Sequence, residues 1–151
     1  IYSTNVSFAA LKEDGSVVIW GKCKYSGNTL KLFDKLKNVK KIYKNNFAFV
    51  ALKEDGSVVT WGDNRYGGDT SKLEKKLTNV KEIFSMSNSF AALNNDGSVI
   101  IWGDHKLGED YSNVVEQLYN VKKIYSSFGY EDFGSYIALK YDDTIVTWGI
   151  Y

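Results

Sequence analysis

Proline is missing from all 151 residues, and cysteine, histidine and methionine each occur once. A single thiol, Cys23, excludes an intramolecular disulfide and leaves the redox compartment open. With His105 alone, no histidine-based metal cluster can form, and no D-x-D-x-D-G calcium loop is present. No apolar run approaches the roughly 20 residues that a membrane-spanning helix needs. Charge of one sign is lacking too. The 19 basic and 18 acidic side chains leave a formal charge of +1, without the basic excess of a nucleic-acid binder. Nothing here calls for a cofactor, a metal, a nucleic-acid partner or a catalytic role.

What is abundant is aromatic: 15% of the chain, with 11 Tyr, 8 Phe and 4 Trp, a content suited to packed sheets and adhesive surfaces. These aromatics recur in register. "ALKEDGSVVIWG" (10–21) returns as "ALKEDGSVVTWG" (51–62), "ALNNDGSVIIWG" (92–103) and "ALKYDDTIVTWG" (138–149). The Trp-Gly pairs stand 41, 41 and 46 residues apart, and "NVKKIY" (38–43), "NVKEIF" (79–84) and "NVKKIY" (120–125) keep the same step. The longer last step comes from an insertion within "SSFGYEDFGS" (126–135), either a loop bulging from one unit or a contact site. A period in the forties is that of solenoids and propellers. The repeats fall at about 1–41, 42–82, 83–128 and a partial 129–151, a single repeat domain. The first residues already sit inside a unit and neither end resembles a polar cap, so the pattern predicts an excerpt of a longer array.

Within one unit, Asp14-Gly15 between two β-type runs predicts a two-residue type I′ hairpin. "NVKKIY" predicts a third strand, with Val39 and Lys41 alternating with Lys40 and Ile42. The substitution of Asp142-Asp143 for Asp-Gly predicts a weaker hairpin in the last unit. "TSKLEKKLTNV" (70–80) spaces Leu73, Leu77 and Val80 as one helical face, with Ser71 and Glu74 as a capping box. Leu32, Leu36 and Val39 repeat this spacing, as do Val114, Leu118 and Val121. A short rim helix, apolar side inward, follows. A tryptophan at one position in every unit is expected to pack between units.

"DGSVVTWGDNRYGG" (55–68) and "FAALNNDGSVIIWGD" (90–104) resemble repeats of the regulator-of-chromosome-condensation family, in the D-G-x-V-x-x-W-G core and its x-N-x-Y-G extension. The resemblance implies an all-β, β-propeller-type array of about three and a half blades, three short strands plus a rim helix each. The family builds seven blades, nearly twice this chain, so both end blades should expose strand edges and sheet faces. Gly67-Gly68-Asp69 stands where family repeats carry Gln-Leu-Gly, and "FSMSNSF" (84–90) lacks the usual Gly-Gly-x-His. Those departures resemble divergent bacterial members of the family more than the nuclear exchange factor.

On repeat scaffolds, function lives where copies differ. The loops after Trp-Gly differ: "KCKYSGN" (22–28), "DNRYGGD" (63–69) and "DHKLGED" (104–110). They make Lys24, Tyr25, Asn64, Arg65, Tyr66, His105 and Lys106 the candidate protein-contact residues, pairing cations with aromatics. Gly67-Gly68 lacks the phosphate-loop pattern. The acidic residues at Glu13-Asp14, Glu54-Asp55 and Asp96 belong to hairpin tips rather than to catalysis. The expected role is non-catalytic protein recognition, directed at another protein or another segment of a larger polypeptide, with self-association through open end blades. The rivals are spacer repeats of a large bacterial surface protein, toxin or effector, and a guanine-nucleotide exchange regulator.

Overall fold

The computed structural model describes residues 1–22, 29–104, 111–128 and 134–150. They form four three-stranded antiparallel sheets, one per repeat. The first holds β1 (Tyr2–Ser3), β2 (Ser7–Leu11) and β3 (Val17–Gly21). Helix α1 (Thr29–Lys35) leads to β4 (Val39–Lys44), β5 (Ala48–Lys53) and β6 (Val58–Gly62). A 3₁₀ turn at Ser71–Leu73 replaces the helix before β7 (Val80–Ser85), β8 (Ser89–Asn94) and β9 (Val99–Gly103). Helix α2 (Tyr111–Gln117) precedes β10 (Val121–Phe128), β11 (Gly134–Lys140) and β12 (Ile145–Ile150). The insertion lengthens β10 and β11, which pair out to Phe128 and Gly134; its tip, 129–133, lies outside the described residues.

Each reversal between the second and third strands departs from the two-residue turn expected of Asp-Gly. The Lys12 amide donates to the Ser16 carbonyl (2.9 Å) and the Gly15 amide to the Lys12 carbonyl (3.0 Å), leaving a three-residue loop. Gly15 alone takes positive φ, at 78°. This is a type I turn closed by a left-handed residue, the second commonest hairpin solution. Gly56 and Gly97 repeat it at 80° and 82°, and Asp143 occupies the same slot at 64° with the same two bonds. The preceding aspartate accepts the amide and hydroxyl of the residue two ahead, as Asp55 does from Ser57 at 2.9 and 2.5 Å.

The strand opening each later sheet also departs from simple alternation. Val39 pairs with Lys53 and Lys41 with Leu52, so Lys40 is an extra, bulged residue. The bulge turns Val39 and Ile42 to one side, where both are buried in a single core. Val80 with Ile83, and Val121 with Ile124, do likewise.

Three cores result, each lying between consecutive sheets. The first gathers Ala9 and Val17 from one sheet, Leu32 of α1 and Leu36 just after it, and Ile42, Phe49 and Trp61 from the next. Leu77 fills the second and Leu118 the third, so the rim segments do point their apolar side inward. The expected Ser71–Glu74 capping box is absent. Thr70 at the turn's N-cap makes no capping bond with its side chain, its hydroxyl lying instead 3.1 Å from that of Thr60, and the Ser71 amide goes to Asp69 at 2.9 Å. Every tryptophan stacks on the aromatic opposite it: Trp20 on Phe8, Trp61 on Phe49, Trp102 on Phe90 and Trp148 on Tyr136, with centroids 5.0 to 5.5 Å apart. The last three are buried against the preceding sheet, whereas Trp20, which follows none, is 42% exposed.

Main-chain bonds clip the units together. The Val39, Val80 and Val121 amides donate to the Gly15, Gly56 and Gly97 carbonyls of the preceding hairpin, each at 2.9 Å. At the opposite end of the sheets the Asn5 amide reaches the Asn46 carbonyl (2.9 Å), and the Asn46 amide reaches Ser87 (3.1 Å).

Candidate functional site

The loop after β6 is the one post-tryptophan loop whose candidate contact residues are all described. Lys24 and Tyr25 in the first copy, like His105 and Lys106 in the third, lie outside the described residues, as does Cys23. Asp63 begins the loop. Its carboxylate accepts the Arg65 amide at 3.1 Å and caps a 3₁₀ turn over Asn64–Tyr66, which Gly67 closes in the left-handed region at φ 100°. The same carboxylate takes two bonds from the Arg65 guanidinium, Nε to Oδ1 at 3.1 Å and Nη2 to Oδ2 at 2.8 Å. That pairing raises the affinity of Arg65 for its proton above the ordinary value, the hydrogen bond to Asp63 being the largest cause. Arg65 also lies over the Tyr66 ring, 5.3 Å from its centroid. The Tyr66 ring stacks at 4.3 Å on Phe47, in the turn between β4 and β5.

Asn45 anchors this arrangement. It is buried, its Nδ2 donates to the Tyr66 carbonyl at 2.7 Å, and its Oδ1 accepts the Phe47 and Ala48 amides at 2.8 and 2.7 Å. Sequence reasoning missed both Asn45 and Phe47. The available signal was a break in the repeat, since Thr4 and Met86 stand in the Asn45 slot.

The far end of the loop docks on the next unit. The Gly67 carbonyl accepts Trp102 Nε1 at 3.2 Å, and a Cβ at Gly67 would fall 2.8 Å from the Phe90 ring. Gly67 is therefore a close-approach residue, not part of a phosphate cradle. Two grooves flank the loop. One of about 410 Å³ is lined by Asn64, Gly67, Asp69, Lys72 and Trp102. The other, about 210 Å³, is lined by Val6, Lys22, Phe47, Asp63 and Arg65. Asn64 and Arg65 are exposed and Tyr66 is half-buried between Phe47 and Arg65. Among the described residues no group of three or more Asp, Glu, His or Cys side chains is placed to hold a metal.

Small antiparallel sheets packed face to face, with Trp61, Trp102 and Trp148 in the seams between them, define a β-propeller-type blade array. Residues 39–67, which make up the second blade and its loop, match the profile of the regulator of chromosome condensation (RCC1) repeat. That blade's strands, and the main-chain bonds that clip it to its neighbours, recur along the chain. The fold agrees with a chain in the crystal structure of Kap60 bound to yeast RCC1 (Prp20), at 22% identity and a TM-score of 0.60, covering 95% of this chain and 40% of that one. Prp20p from Saccharomyces cerevisiae, in a study of its binding to Gsp1p and histones, aligns at 18% identity and a TM-score of 0.58 over 97% of this chain and 44% of that one. The CRINKLY WD40 ectodomain of the Arabidopsis thaliana receptor kinase ACR4 aligns at 16% and 0.57, over 97% and 49%. This chain thus spans less than half of each. No curated protein sequence matches it.

Proposed function

We propose that this chain is a non-catalytic protein-binding module whose contact surface is the loop side of the blades. The observation that carries the reading is the Phe47–Tyr66–Arg65 stack, locked by Asp63 and Asn45 before any partner arrives. An aromatic and an arginine already held in place lose little conformational freedom on binding, so more of their contact energy is realised as affinity. The grooves on either side give a partner's side chains somewhere to enter. Supporting the choice of a protein partner, the similar yeast proteins are seen with Kap60 in one case and studied for binding to Gsp1p and histones in the other.

The test is affinity capture with the intact chain beside an Asn64→Ala/Arg65→Ala variant, both substitutions being at exposed positions. A partner held by the parent chain and released by the variant supports the reading. Identical capture by both, or capture by neither, removes it.

A further inference from the structure

The strands that open the three later blades carry a charge that the chain as a whole lacks. β4, β7 and β10 read VKKIYK, VKEIFS and VKKIYSSF, six lysines against the single Glu82. The whole protein has a formal charge of only +1. All six lysines are exposed. The second and third blades have neighbours on both sides, so the exposure of Lys40, Lys41, Lys44 and Lys81 belongs to the interior of the array. Lys12, Lys35, Lys37 and Arg65 each lie within 4.0 Å of a carboxylate. Among the described residues no carboxylate comes that close to any of the six. The bulge adds one residue to each of these strands, and in all three it is a lysine: Lys40, Lys81 and Lys122. A bulge re-aims the side chain it inserts. Each of these lysines also follows the valine whose amide is clipped to the preceding hairpin at 2.9 Å. The clip repeats from seam to seam, and each opening strand lies beside that of the next blade. The bulged lysines therefore recur at one height along the array, as a row.

We propose that this row binds an acidic segment of a partner protein, whose carboxylates meet Lys40, Lys81 and Lys122 on successive blades. Cations gathered without counter-charges concentrate positive potential, and a partner of opposite sign is drawn to it and held in register. Lys41 and Lys123 reinforce the row. Their ammonium groups are steadied over Tyr43 and Tyr125, each 4.7 Å from the ring centroid. Repetition does the rest, because contacts that are weak singly add up when one segment engages several blades. The chemistry favours a peptide over a single-stranded nucleic acid, which needs open aromatic faces for its bases. Tyr43 and Phe84, the aromatics of the two interior strands, are packed against the seam cores instead. The bulged lysines sit at the hairpin end of the sheets, whereas the Arg65 loop packs on Phe47 at the other end. The row and the loop surface are thus separate, and neither depends on the other.

Fluorescence anisotropy of the intact chain with a labelled oligo-aspartate peptide gives the test, with a labelled single-stranded DNA of equal charge as the second arm. The parent chain should bind the peptide more tightly than the DNA. Its affinity should fall about tenfold or more between about 50 and about 500 mM salt, since the charges are exposed. Lys40→Gln/Lys81→Gln/Lys122→Gln should weaken binding about tenfold or more. Lys12→Gln/Lys35→Gln/Lys37→Gln changes the net charge equally, at lysines that already have carboxylate partners, and should stay within about twofold of the parent. Lys41→Gln/Lys123→Gln leaves the bulges untouched and should also weaken binding, which keeps the test open if circular dichroism shows the bulge variant unfolded. A parent chain that binds no peptide would mean that the lysines only guard the strand edges, and would overturn the proposal. Equal losses in the bulge and control variants, unchanged binding by Lys41→Gln/Lys123→Gln, or tighter binding of the DNA would overturn it too.

Discussion

Trp20 and Trp102 hold the same place in their repeats and stack on the same kind of partner, yet only Trp102 has a blade in front of it. Alanine at the two positions therefore separates what a blade supplies by itself from what its neighbour supplies. Trp102 is 5% exposed and its indole bonds to Gly67. Its removal opens a large cavity in a seam and leaves that carbonyl without its partner, at a cost of about 3–5 kcal/mol. Trp20 loses a ring stack, about 0.5–1.5 kcal/mol, and part of the burial of an aromatic side chain, for about 1–2 kcal/mol in all. Urea unfolding followed by far-ultraviolet circular dichroism measures both. The expected difference is about 2 kcal/mol or more. Equal losses, or a larger loss at Trp20, would refute the view that the seams between blades carry the stability.

Asp143→Gly should stabilise the chain by about 0.5–1 kcal/mol, because it removes a side chain from a left-handed position that the other three hairpins give to glycine; thermal unfolding reads this directly. Asn45→Ala should cost about 2 kcal/mol and speed amide exchange around Tyr66, since it frees that carbonyl and two amides at once. Asp14, Asp55, Asp96 and Asp142 are held below their ordinary value of 3.8, chiefly by the Ser or Thr hydroxyl that each accepts. A lowered folded-state value stabilises the protein above that ordinary value, and the contribution fades as pH falls below it. The unfolding midpoint should therefore drop between pH 4 and pH 2, and Asp55→Asn with Asp96→Asn should flatten the drop.

The repeat made the blades and their seams legible, because four copies show which positions cannot vary. Buried Trp61, Trp102 and Trp148 follow from that pattern, and so do the inward leucines of the rim. The turn was not legible. Asp-Gly suits both a two-residue and a three-residue reversal, and the choice rests on whether the aspartate keeps negative φ. Nor was the bulge, since Lys40 and Lys41 are both polar and apolar spacing cannot tell which is extra. At the candidate site, Arg65 and Tyr66 were found as variable residues. The anchoring of their loop by Asn45, 21 residues earlier, is a tertiary contact with no local signature.

The clip between blades joins a turn carbonyl to a valine amide, so both partners belong to the main chain. Such a joint is indifferent to which side chains the neighbouring loops carry. Whole units of about forty residues can be gained, lost or exchanged by recombination without remaking the junction, while loop sequences drift independently. Diversity of surface and constancy of frame are thereby inherited separately.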